Sequence, residues 1–208
     1  MLRSRRRIFL IAVIAVCWGT LWVLWISRRP QSLGSVARDV LKSLRQGDGT
    51  EIYPYLTEEE KKTNSITPES IRAVHQLVIA PKLNKLGRPQ LEYTTDYGHE
   101  GLSQIDFGRP NGDFTQFGPA VFRRDGRPIT SLSSLVYGLW ISEALVRTKE
   151  PWSERVRARA IADGIERDGA TLERLGWKEI FALGPRGVER LPLKGAAGEF
   201  RAFEKGKP

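Results

Sequence analysis

An uninterrupted apolar run near the start of the chain is the clearest feature of its hydrophobic pattern. No charged residue lies between Ile8 and Ser27. As a helix, residues 8–26 would extend about 28 Å, which matches the hydrocarbon core of a bilayer at about 30 Å. The pattern therefore predicts a transmembrane helix over residues 8–26, preceded by a basic leader over residues 1–7 and followed by a linker over residues 27–34.

The predicted span carries residues that anchor helices at membrane interfaces. Three indoles in its second half fall on one helical stripe, and arginines flank it on both sides. These membrane-interface residues are Trp18, Trp22, Trp25, Arg5, Arg6, Arg7, Arg28 and Arg29. A cleavable signal peptide has a shorter apolar core of about 7–15 residues, so we expect the span to be retained as a signal-anchor.

The basic leader also bears on orientation. Residues 1–7 contain four arginines and no acid, which favours a cytoplasmic N-terminus and an extracytoplasmic domain. Because Arg28, Arg29 and Arg38 follow the span, a cytoplasm-facing domain remains an alternative. We expect a single-pass protein of the cell membrane that has the lipid bilayer as a partner.

After the linker, apolar residues recur at helical spacing. Ser35 can cap a helix that stops at Gly47. Thr57 starts a short helix with a capping box, and Thr67 starts a longer one with proline at its first helical position. Pro81 is expected to kink or end that longer helix just before the proline.

Between residues 90 and 130 the pattern changes to short strand-forming runs separated by turn residues. The runs are Gln90 to Tyr97, Leu102 to Phe107, Asp113 to Arg123 and Pro128 to Thr130. Pro110-Asn111-Gly112 and Asp125-Gly126 join them, and Asp-Gly is a strong hairpin signal. The pattern predicts an antiparallel meander.

Helical spacing returns at Ser131, and Ser153 can cap a further helix. Two strand-like runs follow, from Trp177 to Leu183 and from Val188 to Leu193, and they predict a closing hairpin. Residues 196–208 are rich in glycine and lysine and are expected to form a flexible tail.

The start of the domain resembles that of many NTF2-like (SnoaL-like) domains. The resemblance lies in the first helix, its stop at Gly47-Asp48, the following Tyr53-Pro54-Tyr55-Leu56 and the charged run from Thr57 to Lys62, and it covers roughly residues 35–125. It implies helices packed on a curved antiparallel sheet. We therefore expect an α+β domain over residues 35–195, to which C-terminal helices and a closing hairpin are added.

The positive charge is concentrated at the N-terminus. The chain carries a net charge of +9, of which six arginines before residue 31 supply +6 with no acid among them, so the remainder carries +3. Phosphate binding needs clustered basic charge, and no nucleic acid is therefore expected as a partner. Arg155, Arg157 and Arg159 are interrupted by acids, as on a solvated helix face.

Residue types used for catalysis and metal binding are sparse. The chain has two histidines, His75 in a predicted helix and His99 in a glycine-bracketed turn, and one cysteine, Cys17, in the apolar run. Packing explains His75 and loop exposure explains His99, so we expect no catalytic residue, metal site or cofactor. Asp106, like other acids near predicted turns, is interpreted as a solvated turn residue.

The NTF2-like resemblance implies a ligand pocket inside a cone. The candidate lining residues are Tyr93, Tyr97, Asp96, Phe114 and Phe122. Alternation along a strand places Tyr93 and Tyr97 on the face opposite Asp96, so the five point inward together only if a bulge intervenes. Aromatic residues of an ordinary core are the alternative interpretation.

Taken together, these patterns favour a non-enzymatic interaction module that works beside the membrane with an envelope protein. A linker of about 3.5 Å per residue keeps the domain within about 30 Å of the bilayer. A small-molecule-binding or hydrolytic NTF2-like pocket is the first alternative, and an enclosed cavity would favour it. A cytoplasm-facing domain that contacts anionic lipid through Arg155 to Arg159 is the second.

Overall fold

The computed structural model of the protein describes residues 31–184 and 187–205. The predicted leader, the predicted transmembrane helix over residues 8–26 with its tryptophans and flanking arginines, and most of the linker lie outside these residues. Residues 206–208 of the expected tail also lie outside them. Within the two described ranges, no helix is long and apolar enough to cross a membrane.

The described residues form an α+β fold, as the sequence predicts. The helices are α1 (Leu33–Gln46), a 3₁₀ helix (Thr50–Tyr55), α2 (Glu58–Thr63), α3 (Pro68–Val74), a π-helical turn (His75–Ile79), α4 (Ala80–Leu86), α5 (Leu132–Leu145), α6 (Glu154–Arg174) and α7 (Leu193–Glu204). The strands are β1 (Leu91–Asp96), β2 (Glu100–Gly108), β3 (Phe114–Phe117), β4 (Ala120–Arg124), β5 (Arg127–Ile129), β6 (Glu179–Gly184) and β7 (Gly187–Pro192). The hairpin of β6 and β7 confirms the predicted closing hairpin.

The first five strands form one antiparallel sheet around β2. β1 pairs along one edge of β2, while β3 and β4 lie in line along the other edge and β5 pairs with β4. The meander is therefore confirmed, but the run over residues 113–123 is two strands divided at Gly118-Pro119. A Cβ on Gly118 would lie 1.9 Å from the carbonyl oxygen of Ser103, so glycine alone permits this approach of the backbones.

Helix α1 covers the inner face of the sheet. Its buried residues, including Val40 and Leu44, belong to the same core cluster as Ile105 and Phe107 of β2. The apolar positions of α1 recur every three to four residues, whereas those of β2 alternate, so each element buries one side. The hydrophobic core therefore lies between the sheet and the helical layer.

Helix α1 begins three residues earlier than the sequence indicates. Ser32 is the cap, and its Oγ accepts a hydrogen bond from the Ser35 backbone nitrogen at 3.1 Å. Leu33 is buried, and a Cβ on Gly101 would lie 2.1 Å from the backbone of Leu33. The compact unit therefore starts at Ser32, and the end of the predicted linker belongs to the fold because it packs against β2.

The helix that starts at Pro68 passes through Pro81. Proline lacks an N–H group, and its ring crowds the carbonyl four residues earlier. Just before it, the helix widens into the π-turn, in which the Ala80 N–H donates to the carbonyl of His75. The expected kink or end is thus a local widening that accommodates the proline, and the helix continues to Leu86.

The prediction of a flexible tail over residues 196–208 is wrong as far as Glu204, because α7 extends to that residue. Ala196 is buried against the core. Arg201 forms ion pairs with Asp163 and with Glu166 of α6, the latter at 2.6 Å. These partners are far away in sequence, which is why a glycine-rich local pattern did not reveal the helix.

Candidate functional site

Three of the five candidate pocket residues share the side of the sheet that faces away from α1. Tyr93, Phe114 and Phe122 pair with alternate positions of β2, while the intervening Ile105 and Phe107 enter the core. Phe114 is 56% exposed. We call this side the outer face; its residues therefore form a surface and not an interior lining.

Asp96 lies on the opposite side and caps α1. Its carboxylate accepts hydrogen bonds from the backbone nitrogens of Gly98 at 2.9 Å and Gly34 at 3.1 Å. These backbone donors hold the pKa of Asp96 below its usual value. Alternation is confirmed for Tyr93 and Asp96, and Tyr97 beyond the end of β1 is 58% exposed. The five residues do not line one pocket.

The two histidines occupy separate places. His75 is buried at the start of the π-turn, and its Nε2–H donates to the carbonyl oxygen of Leu44 at 2.8 Å. This bond ties α1 to the π-turn, in agreement with a packing role. His99 lies in the exposed turn between β1 and β2.

A polar centre crosses three strands of the outer face. The Tyr93 hydroxyl donates to Oε1 of Gln104 at 2.9 Å and accepts from Nε2 of Gln116 at 2.8 Å. Burial, and then the charge of Asp106, raise the pKa of Tyr93. The hydroxyl is therefore held as a neutral member of a hydrogen-bonded chain.

Asp106 is the residue of this centre that the sequence interpretation missed. It lies within β2, as the predicted strand from Leu102 to Phe107 implied, but it was expected to be a solvated acid near a turn and is only 8% exposed. Its Oδ1 is buried and has no hydrogen-bond partner among the described residues. The available sequence signal was its position between Ile105 and Phe107, which places it on the face opposite two core residues.

Exposed apolar side chains border this polar centre. Leu91 pairs across the strands with Asp106 and is 57% exposed, and Phe114 borders the opposite edge. We call the combined surface the outer patch: Leu91, Tyr93, Gln104, Asp106, Phe114 and Gln116. An acid with a desolvated oxygen, set between apolar groups, is suited to receive a positively charged or N–H donor.

A second polar cluster lies inside the helical layer. Lys82 of α4 pairs with Asp168 of α6 at 2.7 Å, and the indole nitrogen of Trp140 donates to the same carboxylate at 2.6 Å. Arg167 pairs with the buried Glu143 at 2.9 Å. Burial lowers the pKa of Lys82. These ion pairs hold α4, α5 and α6 together, although both carboxylate oxygens of Glu143 lack a hydrogen-bond partner among the described residues.

The surface recesses found in the structure are open grooves. One of about 440 Å³ lies between α1, α4 and β2, and another of about 690 Å³ lies between α1 and the 3₁₀ helix. Among the described side chains, no group of three or more histidine, cysteine, aspartate or glutamate residues is arranged to hold a metal ion.

Comparison of the chain with known proteins assigned it to no family. Neither the protein-family models, nor the curated proteins, nor the solved structures gave a match to the chain.

Proposed function

We propose that this chain is a single-pass, membrane-anchored interaction module that docks an extracytoplasmic partner protein on its outer patch. The observation that supports this proposal is the buried Oδ1 of Asp106, which has no hydrogen-bond partner among the described residues and lies beside the exposed Leu91 and Phe114. The partner is expected to present an arginine or lysine between apolar side chains, in the manner of an interface with a charged anchor.

The free-energy cost of the buried, unpartnered Oδ1 of Asp106 supports a docked state. A buried acceptor without a donor destabilises a domain by about 1–3 kcal/mol, and more when it is charged. A cation that a partner places beside the carboxylate would offset part of this penalty, and the flanking Leu91 and Phe114 would exclude water from the pair. If no partner bound to this surface, the carboxylate would gain no such stabilisation.

The membrane location rests on the sequence. The apolar run over residues 8–26 has the length of a span, and the arginine leader favours a cytoplasmic N-terminus. A signal-anchor in this orientation would keep the folded domain on the extracytoplasmic side, where envelope proteins are the available partners.

We further propose that the domain is a variant of the NTF2-like fold. The support is the order of its elements, in which α1, the 3₁₀ helix, α2 and the helical run from Pro68 to Leu86 precede an antiparallel sheet that α1 covers. Helix α6 and the β6–β7 hairpin are additions to that pattern.

Site-specific photo-crosslinking in intact cells tests the docking proposal. A photoreactive phenylalanine analogue replaces Phe114 in the full chain, and the control replaces Phe203, which is also exposed, at 53%, but lies on α7. We expect a discrete protein adduct from position 114 that disappears in the Asp106→Asn background and persists in the Asp39→Asn background. Asp39 is an exposed acid on α1.

Two results would contradict the proposal. One is an adduct at position 114 that is unchanged by Asp106→Asn, because the carboxylate would then not recognise the partner. The other is adducts with phospholipid alone, which would favour a domain that contacts the membrane surface.

A further inference from the structure

The groove between α1, α4 and β2 has an apolar wall. Leu83 and the half-buried Ala80 line it from α4 and the exposed Pro89 lines it beyond that helix, while the buried Ile105 and Phe107 lie behind them on β2. Its volume of about 440 Å³ lies within the range of small-molecule sites, about 300–1,000 Å³. The groove can therefore hold a ligand with a short hydrocarbon body.

The charged side chains that line this groove are both arginines. Arg45, Arg88, His75 and Asn84 are its polar side chains, and no aspartate or glutamate lines it. Arg45 forms an ion pair with Glu92 of β1. Arg88 has no acidic partner within the described residues and stands exposed at the mouth of the groove. The uncompensated charge of the groove is therefore positive and belongs to Arg88.

Two features keep the groove open before any ligand arrives. His75 fixes the wall by donating from Nε2 to the Leu44 carbonyl oxygen, and the π-turn that starts at His75 sets the position of α4. A site whose walls are already ordered spends less binding free energy on closing around its ligand.

We propose that this groove binds an anionic amphiphile, with its carboxylate at Arg88 and Asn84 and its hydrocarbon chain against Ala80, Leu83 and Pro89. The ligand is a free monocarboxylate with an unbranched chain, because the single uncompensated cation matches one negative charge and the wall is apolar. This site is separate from the outer patch, since Ile105 and Phe107 point away from the outer face.

Calorimetric titration of octanoate into the full chain, held in neutral-lipid nanodiscs and corrected with empty nanodiscs, tests the proposal. We expect saturable binding of octanoate, with no comparable binding of acetate, which lacks the chain, or of octylammonium, which reverses the charge. Arg88→Gln should weaken octanoate binding about tenfold or more, the scale of one charge-assisted hydrogen bond.

Lys85→Gln is the matched control. Lys85 is an exposed cation three residues from Arg88 and does not line the groove, so its removal should leave octanoate binding within about twofold. Both variants should unfold at the wild-type temperature, because both side chains are exposed.

Three outcomes would overturn the proposal. Equal octanoate binding by the two variants would show that Arg88 does not hold the carboxylate. Equal binding of octylammonium would show that charge does not select the ligand. Loss of octanoate binding by the wild-type chain when the nanodiscs contain anionic lipid would assign the groove to lipid headgroups instead.

Discussion

At the scale of single residues, Asp106 is the clearest case of a side chain whose position lowers the stability of the fold. Its Oδ1 is buried without a donor among the described residues, although the neighbouring Tyr93, Gln104 and Gln116 satisfy one another. Natural proteins retain such groups mainly where they serve recognition. Asp106 therefore links the packing of the sheet to the proposed docking function.

Replacing Asp106 with Asn is expected to stabilise the domain. The amide keeps the shape of the carboxylate but carries no charge to bury, so the free energy of unfolding should rise by about 1 kcal/mol. Asp39→Asn, which alters an exposed acid, should change it by less than about 0.5 kcal/mol. Chemical denaturation of the full chain in detergent measures both. A loss of stability in Asp106→Asn would mean that the carboxylate has a structural partner.

Replacing glycine with alanine is expected to have opposite effects on stability at two helical positions. A Cβ on Gly164 would lie 2.2 Å from the Trp140 ring, whereas nothing lies within 4 Å of a Cβ on Gly138 of α5. Gly164→Ala should lower the free energy of unfolding by about 1–3 kcal/mol through overpacking. Gly138→Ala should raise it by about 1 kcal/mol through helix propensity. Thermal unfolding of both variants checks the contrast, and a stable Gly164→Ala protein would contradict the close crossing of α5 and α6.

At the scale of elements, the start of α5 depends on a residue from another helix. Glu60 of α2 is 1% exposed. Its Oε1 accepts from the backbone nitrogen of Ser133 at 2.9 Å, and from the hydroxyls of Ser133 and Ser131 at 2.7 and 3.1 Å. The carboxylate thus stabilises the N-terminus of α5, where the helix dipole favours negative charge.

The pKa of Glu60 makes this contact dependent on pH. Burial raises the pKa above its ordinary value of 4.5, against the opposing effect of the Ser133 and Ser131 donors. The folded state therefore holds this proton more tightly than the unfolded state, so the contribution of Glu60 to stability falls as pH rises from about 4.5 to the folded-state pKa.

Glu60→Gln should remove this pH dependence. The free energy of unfolding of the variant minus that of the wild type should increase as pH rises above about 4.5 and then level off. Glu58→Gln, on the same helix with a side chain 89% exposed, should show no comparable trend. Urea unfolding across a pH series measures the differences, and a flat difference for Glu60→Gln would rule out the titration.

The start of a helix could be predicted from the sequence where the capping side chain lies next to the helix in the sequence. The side chains of Thr57, Thr67 and Ser153 accept the expected backbone hydrogen bonds. The capping box at Thr57 is only half formed, because Glu60 turns to α5. Local pattern cannot reveal that choice, since the competing partner lies about 70 residues away in sequence.

The candidate site was predictable only in part for a related reason. Alternation correctly separated Tyr93 from Asp96, since a strand has a fixed period of two. It could not tell which face α1 would cover, so aromatics of the outer face were expected in a pocket. Asp106 was missed because its place near a predicted turn favoured a solvated acid, whereas its burial comes from the two neighbouring strands.

At the scale of the whole molecule, the two proposed recognition surfaces lie at separate places on the folded unit. The outer patch presents an acid among apolar side chains, and the groove behind the sheet presents a cation above an apolar wall. Their opposite charges predict different partners, a cationic protein surface for the first and an anionic amphiphile for the second. The proposed signal-anchor would present both surfaces to the extracytoplasmic space.

The most direct test of the central proposal is cysteine labelling in intact cells, in a Cys17→Ser background. Thr95 lies on the outer face beside the outer patch, and Thr171 is a similarly half-buried threonine on α6. With a membrane-impermeant maleimide, we expect Thr95→Cys to react several-fold more slowly in cells than after purification, and Thr171→Cys to react equally in both. Equal rates for Thr95→Cys would contradict docking on the outer face. Labelling of either cysteine only after the cells are permeabilised would contradict the extracytoplasmic location.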